Sequence, residues 1–241
     1  MTDTPPAIYH FTQWKAGSQW VQGVLTELEP NRIYVPPMPV ADGLVFEAVV
    51  PGRIYSPLYM NRQRFDESPF PHAPHRRFVV IRDLRDTLIS WYFSLAKTHD
   101  ENPDVLRHRA ILRDMDVETG LLYLVEHQDF FGLTTIGSTW HEAADTLVIR
   151  FEDLIENPIR GFRLICEECE LDPTPEQFRK ALKWRSFEAL AGRKRGSEGD
   201  SHYRRGVAGD WERHFTPRVR EAFSARFDDL QARIGYSPAM V

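Results

Sequence analysis

The chain has 241 residues, 42% of them hydrophobic and 27% charged, with a formal net charge of −5. That apolar content suffices for a sizeable core in one α/β domain, expected to span 1–241, and the acidic balance argues against broad nucleic-acid binding. No apolar run approaches the roughly 20 residues of a membrane span, and Met1 to Pro6 lack a signal peptide's basic start and apolar stretch, so a soluble, cytoplasmic protein is expected.

In chain order, Ile8 to Thr12 is a β-prone run that breaks at Lys15-Ala16-Gly17, after which Val21, Val24, Leu25 and Leu28 recur at helical spacing. Pro30 to Pro57 is rich in proline, with β-prone pieces at Leu44 to Val50 and Arg53 to Ser56, and a helix is expected from Asn61 to Glu67. Phe78 to Ile81 is a continuous apolar run typical of a buried parallel strand, with a helix over Asp86 to Phe93 behind it. Asp104 to His141 reads as helices with Ile111, Leu112, Leu121, Leu122, Leu124 and Val125 facing the core. Thr146 to Ile149 repeats the buried-strand theme. Helices follow over Pro158 to Glu170, Pro175 to Trp184 and Thr216 to Ile234, interrupted by the Gly-, Arg- and Ser-rich loop Ala191 to Val207. Strands alternating with helices predict a central parallel β-sheet flanked by helices, with ligands at the carboxyl ends of the strands.

The two cysteines, Cys166 and Cys169, have CxxC spacing. They fall late in a helical pattern, and no second Cys/His pair stands at metal-site spacing, so we expect ordinary helix residues and no metal.

Three segments have the composition of phosphate sites. Lys15-Ala16-Gly17-Ser18-Gln19-Trp20 turns from strand to helix, where free backbone N–H groups and the helix dipole favour an anion, and Lys15, Ser18 and Gln19 add donors. The GxxxxGK loop of nucleoside-triphosphate enzymes is absent, and the same residues also suit a tight turn capped by Ser18. Arg82-Asp83-Leu84-Arg85-Asp86 ends a buried strand, where Arg82 and Ser90 can share an anion, or where the charges form a surface salt-bridge cluster capping the next helix. Arg204 and Arg205, beside Gly206 and Gly209, offer forked donors on a backbone able to close tightly, or a solvated basic loop.

Lys15 to Trp20, Arg82 to Asp86 with Ser90, Arg150-Phe151-Glu152-Asp153-Leu154 with Asn157-Pro158, and Arg204-Arg205-Gly206 with Gly209-Asp210-Trp211 together resemble the sulfotransferases that use PAPS, 3′-phosphoadenosine 5′-phosphosulfate. The resemblance implies a P-loop nucleoside-triphosphate-hydrolase-like fold and sulfuryl transfer from PAPS to a hydroxyl, or less favourably an amine, of a small-molecule acceptor. By the same resemblance Lys15 contacts the 5′-phosphosulfate and stabilises the leaving group, cradled by Gly17, Ser18 and Gln19, while Trp20 and Phe187 flank the adenine. Arg82, Ser90, Arg204, Arg205 and Gly206 hold the 3′-phosphate.

Small-molecule members of that family usually carry a histidine in a Lys-x-His-x-Pro run, and the corresponding stretch here, Arg53 to Met60, has none. Glu47, His72, His75 and His99 are therefore the candidate bases. Trp14 stands where proline is common, Gln19 replaces a threonine, and Phe151 replaces a tyrosine. Tyr34, Phe46, Tyr55, Tyr59 and Phe65 suit either an aromatic acceptor pocket or the core. A non-catalytic PAP- or PAPS-binding protein and a P-loop small-molecule kinase are the alternative readings.

Overall fold

The computed structural model describes residues 4–35, 49–98, 102–127, 136–199 and 203–238. These fall in two compact units, one drawn from Met1–Ile81 and Leu133–Ser186, the other from Arg82–Gly132 and Phe187–Val241. The strands are β1 (Ala7–Thr12), β2 (Ile33–Tyr34), β3 (Ile54–Leu58), β4 (His75–Ile81) and β5 (Leu147–Arg150). In chain order the helices are α1 (Ser18–Leu28), α2 (Arg62–Asp66), α3 (Leu84–Phe93), α4 (Pro103–Leu112), α5 (Val117–Glu126) and α6 (Ile136–His141). They continue with α7 (Phe151–Glu156), α8 (Pro158–Glu168), α9 (Pro175–Trp184), α10 (Phe187–Ala191) and α11 (Pro217–Arg233).

In the first unit the strands form one sheet in the order β2-β3-β1-β4-β5, with every neighbouring pair parallel. A parallel sheet needs cover on both faces, and β1, buried throughout, and the apolar end of β4, Phe78 to Ile81, meet that need. Ile8, Phe78 and Val80 point to one face, where Val21, Val24 and Leu25 of α1, Phe162 and Ile165 of α8 and Phe178 of α9 join them in the core. Tyr9 and Phe11 point to the other, against Phe65 of α2 and Trp140 of α6. Trp140 fixes this second layer further by donating its indole N–H to the Met60 carbonyl at 2.7 Å.

The second unit is helical. The side chain of Asp83 caps α3 by accepting from the Arg85 N–H at 2.8 Å, Asn102 caps α4, and Thr216 caps α11. Each cap satisfies a first-turn N–H that has no acceptor within its own helix. Leu121, Leu124 and Val125 are buried as the helical spacing predicts, while Ile111 and Leu122 are only half-buried.

The expected strand at Leu44 to Val50 lies outside the described residues except for its last two, which are not strand. Cys166, on α8, and Cys169, at its C-terminus, are free and buried, and burial pushes the Cys166 thiol up to about 11. Among the described residues no cluster of His, Cys, Asp and Glu is arranged to hold a metal ion. Likewise, no helix among them is long and apolar enough to cross a membrane.

Candidate functional site

In the first unit, β1 leads into a loop whose backbone is bent twice. Lys15 has a φ of 64° and Gly17 a φ of 77°, both in the left-handed region, the conformation that turns successive N–H groups into anion-binding concavities. The earliest bonds of α1 run from the Trp20 and Val21 N–H groups to the Gly17 carbonyl, so the Ser18 and Gln19 N–H groups precede them at the positive end of the helix dipole. The N-cap is Gly17, without a side-chain cap bond. The turn-capping role considered for Ser18 is thus not what the structure shows, because its hydroxyl lies 2.7 Å from the Tyr59 hydroxyl instead. Lys15 and Gly17 are half-buried and Gln19 is exposed. Trp20 sits in the core, its ring edge-on to Phe162 at 5.3 Å.

The rest of the first unit narrows the candidates for a base. His75 pairs with Ala7 at the start of β1, whereas Val80 pairs with Thr12 at its end. His75, and exposed His72 just before it, therefore lie at the amino edge of the sheet, about five strand residues or roughly 17 Å from the loop end of β1. Both His75 nitrogens are also engaged, with the Ala73 carbonyl and with Arg77. Glu47 and His99, and Phe46 among the aromatic lining candidates, lie outside the described residues.

A histidine that the sequence reading overlooked does reach the Arg53 to Met60 stretch. His10 of β1 approaches the Ser56 hydroxyl through Nδ1 at 2.7 Å and stacks on Phe78 at 4.8 Å. Complete burial pushes it down to about 3, so it is a neutral, water-excluded ring rather than an effective base. Its only sequence signal is its place between apolar neighbours in a strand.

In the second unit the candidate residues cluster around two buried carboxylates. Asp86 accepts from the Gly209 N–H at 2.8 Å and the Trp211 N–H at 3.0 Å, and Arg82 stands 3.8 Å from it. Asp210 takes ion pairs from both Arg204 and Arg205, with Arg213 at 3.6 Å. Burial first, and neighbouring Arg82 second, push Arg204 down to about 10. Arg204 also lies over the Phe93 ring at 4.4 Å. Ser90 sits one turn beyond Asp86 on α3 and is half-buried. The Arg82 to Asp86 charges are thus a buried network rather than a surface cluster, with Arg85 paired to Asp83 at 2.5 Å and Gln231 donating to Asp83 at 2.7 Å.

Phe187 and Gly206 are in direct contact, since a Cβ built on Gly206, whose φ is +64°, would fall 2.3 Å from the Phe187 ring. The loop between them is held by Arg193, which donates to the Arg204 carbonyl at 2.8 Å, and by Arg205, which donates to the Gly196 carbonyl at 3.0 Å. Asp86 and Asp210 stood inside the quoted motifs, four residues after Arg82 and five after Arg205, but neither was named as a site residue.

Comparison with known proteins agrees with this architecture. Residues 74–235 match the family model described as a sulfotransferase domain. The chain is 29% identical over 171 residues to a 3-alpha-hydroxysteroid sulfotransferase of Cavia porcellus, covering 66% of this chain and 56% of that protein. It is 26% identical over 172 residues to sulfotransferase 2A6 of Rattus norvegicus, covering 67% and 57%. The matched segment therefore spans little more than half the length of these relatives. Among solved structures, mouse sulfotransferase SULT7A1 complexed with PAP superposes with a TM-score of 0.69 at 16% identity, over 94% of this chain and 84% of that one. Retinol dehydratase in complex with androsterone and inactive cofactor PAP gives 0.62 at 12% identity, over 93% and 80%. The parallel sheet flanked by helices is thus the P-loop-like fold of those proteins.

Proposed function

This chain belongs to the sulfotransferase family, and from that premise we propose that it transfers a sulfuryl group from PAPS to the hydroxyl of a small-molecule acceptor, releasing PAP. One observation supports the reading: the first unit concentrates anion-binding groups in the Lys15 to Gln19 loop and the second in the Arg82, Arg204 and Arg205 cluster, the chemistry that a ligand with two phosphate groups calls for. The fit is chemical. Arg204 and Arg205 already grip a carboxylate, Asp210, and a bent loop at a helix N-terminus accepts a tetrahedral anion. The matched range 74–235 draws on both compact units, which supports treating 1–241 as one sulfotransferase domain. A cytoplasmic enzyme is the proposed setting.

When bound, PAPS supplies an activated sulfuryl group: the acceptor oxygen forms a bond to sulfur as the bond from sulfur to the 5′-phosphate oxygen breaks. Lys15 neutralises the charge gathering on that departing oxygen, and the Gly17, Ser18 and Gln19 groups hold the 5′-phosphate, so these contacts strengthen along the reaction path. Arg82, Ser90, Arg204, Arg205 and Gly206 hold the 3′-phosphate, with Trp20 and Phe187 beside the adenine. The proton of the acceptor hydroxyl passes to a base or to water. Their position at the opposite edge of the sheet speaks against His72 and His75 for that role.

Titration calorimetry with PAP and ATP, followed by single-turnover transfer from labelled PAPS to phenols, sugars and alcohols, tests the reading. PAP should bind more tightly than ATP, and label should appear on an acceptor. Preference for ATP would favour a kinase. The stretch Arg53 to Met60, which lacks a histidine, favours a second reading, a PAP-binding protein without catalysis, and tight PAP binding with no transfer would establish it.

A further inference from the structure

One side chain holds both ends of the Lys15 to Gly17 turn. The Tyr59 ring stacks on Trp14, the residue before Lys15, with centroids 3.9 Å apart and planes 2° from parallel. Its hydroxyl lies 2.7 Å from the Ser18 hydroxyl, the first group after Gly17. Both Tyr59 and Ser18 are 7% exposed, so neither contact is a loose surface encounter. Two contacts of different kind from one residue, each against a different flank of the turn, restrict the loop more than either does alone.

We infer that Tyr59 is the positioning residue of the anion loop: it donates its phenolic hydrogen to the Ser18 oxygen, which leaves the Ser18 hydrogen free to point at the bound phosphate. The inventory of the two hydroxyls leads to this arrangement. Each has one hydrogen, so if Ser18 donated to Tyr59 it would have none for a ligand, whereas accepting from Tyr59 leaves it a donor and polarises its O–H bond. Burial raises the Tyr59 phenol above its ordinary value, which keeps the hydrogen in place at neutral pH. Trp14 supplies the lateral support. The flat stack fixes the ring, and the ring fixes the direction in which the hydroxyl points.

This inference rests on the proposed use of PAPS, and its test separates the two. The variants are Tyr59→Phe, which keeps the ring on Trp14 and deletes only the hydroxyl, Ser18→Ala, and the pair combined. PAP affinity is measured by calorimetry and folding by urea unfolding. Ser18→Ala should weaken PAP binding roughly tenfold, the effect of losing one good hydrogen bond to a charged group, and Tyr59→Phe should weaken it by less, because Ser18 keeps its hydrogen and loses only the bond that aims it. The unfolding midpoint of Tyr59→Phe should move no more than that of Ser18→Ala. In the double variant PAP affinity should match that of Ser18→Ala alone, because Tyr59 acts only through Ser18. Additive losses, unchanged affinity in Tyr59→Phe, or a larger fall in its unfolding midpoint than in that of Ser18→Ala would each overturn the inference while leaving the function in place. Failure of the unaltered protein to bind PAP overturns both.

Discussion

A Cβ built at Gly17 falls 2.6 Å from the Phe151 ring, at a φ of +77° that L side chains rarely adopt. Gly17→Ala therefore meets an aromatic wall and a strained backbone together, and Phe151, buried in the core, has little room to yield. We expect a loss of about 2 kcal/mol in urea unfolding and weaker PAP binding, and an unchanged midpoint would contradict the packing described. Lys15 differs because its proposed role lies in the reaction rather than the fold. Lys15→Ala should lower turnover roughly a hundredfold or more while PAP binding stays measurable, and undiminished turnover would remove it from the mechanism. Both residues were legible because a strand, a break and a helix in succession leave few places for a lysine and a glycine to stand. Tyr59 was legible only as an aromatic of open purpose. Its partner Ser18 is 41 positions away, and no periodicity in the sequence links a ring in a loop to a hydroxyl at the start of a helix.

At the scale of elements, the arginines near the C-terminus are organised by carboxylates rather than spread along a loop. Asp86, on α3, receives the backbone N–H groups of Gly209 and Trp211, and Asp210 between them gathers Arg204 and Arg205. On the proposed reading the 3′-phosphate is recognised by this cluster, in which Arg82 is buried and Arg204 and Arg205 are half-buried. The unaltered protein should bind PAP at least tenfold more tightly than adenosine 5′-monophosphate, since the extra phosphate meets charged donors. Arg204→Ala should reduce that ratio mainly by weakening PAP, and calorimetry with both nucleotides measures it. An undiminished ratio would detach Arg204 from the 3′-phosphate. Buried strands and capped helices such as α11 were readable, because a continuous apolar run and a Thr-Pro start are local signals. β2 was missed, having only two residues, too few to express any period. The short α7 was quoted as a motif but not read as a helix, because a helix of six residues hardly exceeds one turn and a half.

For the molecule as a whole, three histidines share one bias. His10, His108 and His214 are all pushed below the ordinary histidine value, each first by burial. For a group depressed in the folded state, the unfolded chain takes up the proton first. Stability from this source is complete above the ordinary value near 6.5 and is lost as pH falls below it, for His10 down to about 3. Each such histidine removes up to about 1.4 kcal/mol per pH unit within its window. Urea unfolding at several pH values between 7.5 and 4.5 should show the midpoint falling on acidification, and His10→Gln should flatten part of that fall. Parallel curves for the two proteins would show that His10 is not the buried neutral ring described.

Asp210 gives the arginine pair an occupant before any nucleotide arrives. On the proposed reading, capture of a 3′-phosphate would be an exchange of one anion for another, in which the guanidinium groups trade a tethered carboxylate for a diffusible phosphate. The segment around them is already folded by its own counter-ion, so little ordering is left for the incoming ligand to impose. Such a swap would leave the number of ion pairs nearly unchanged, and ionic strength should consequently weigh on nucleotide capture less heavily than a count of nearby arginines suggests.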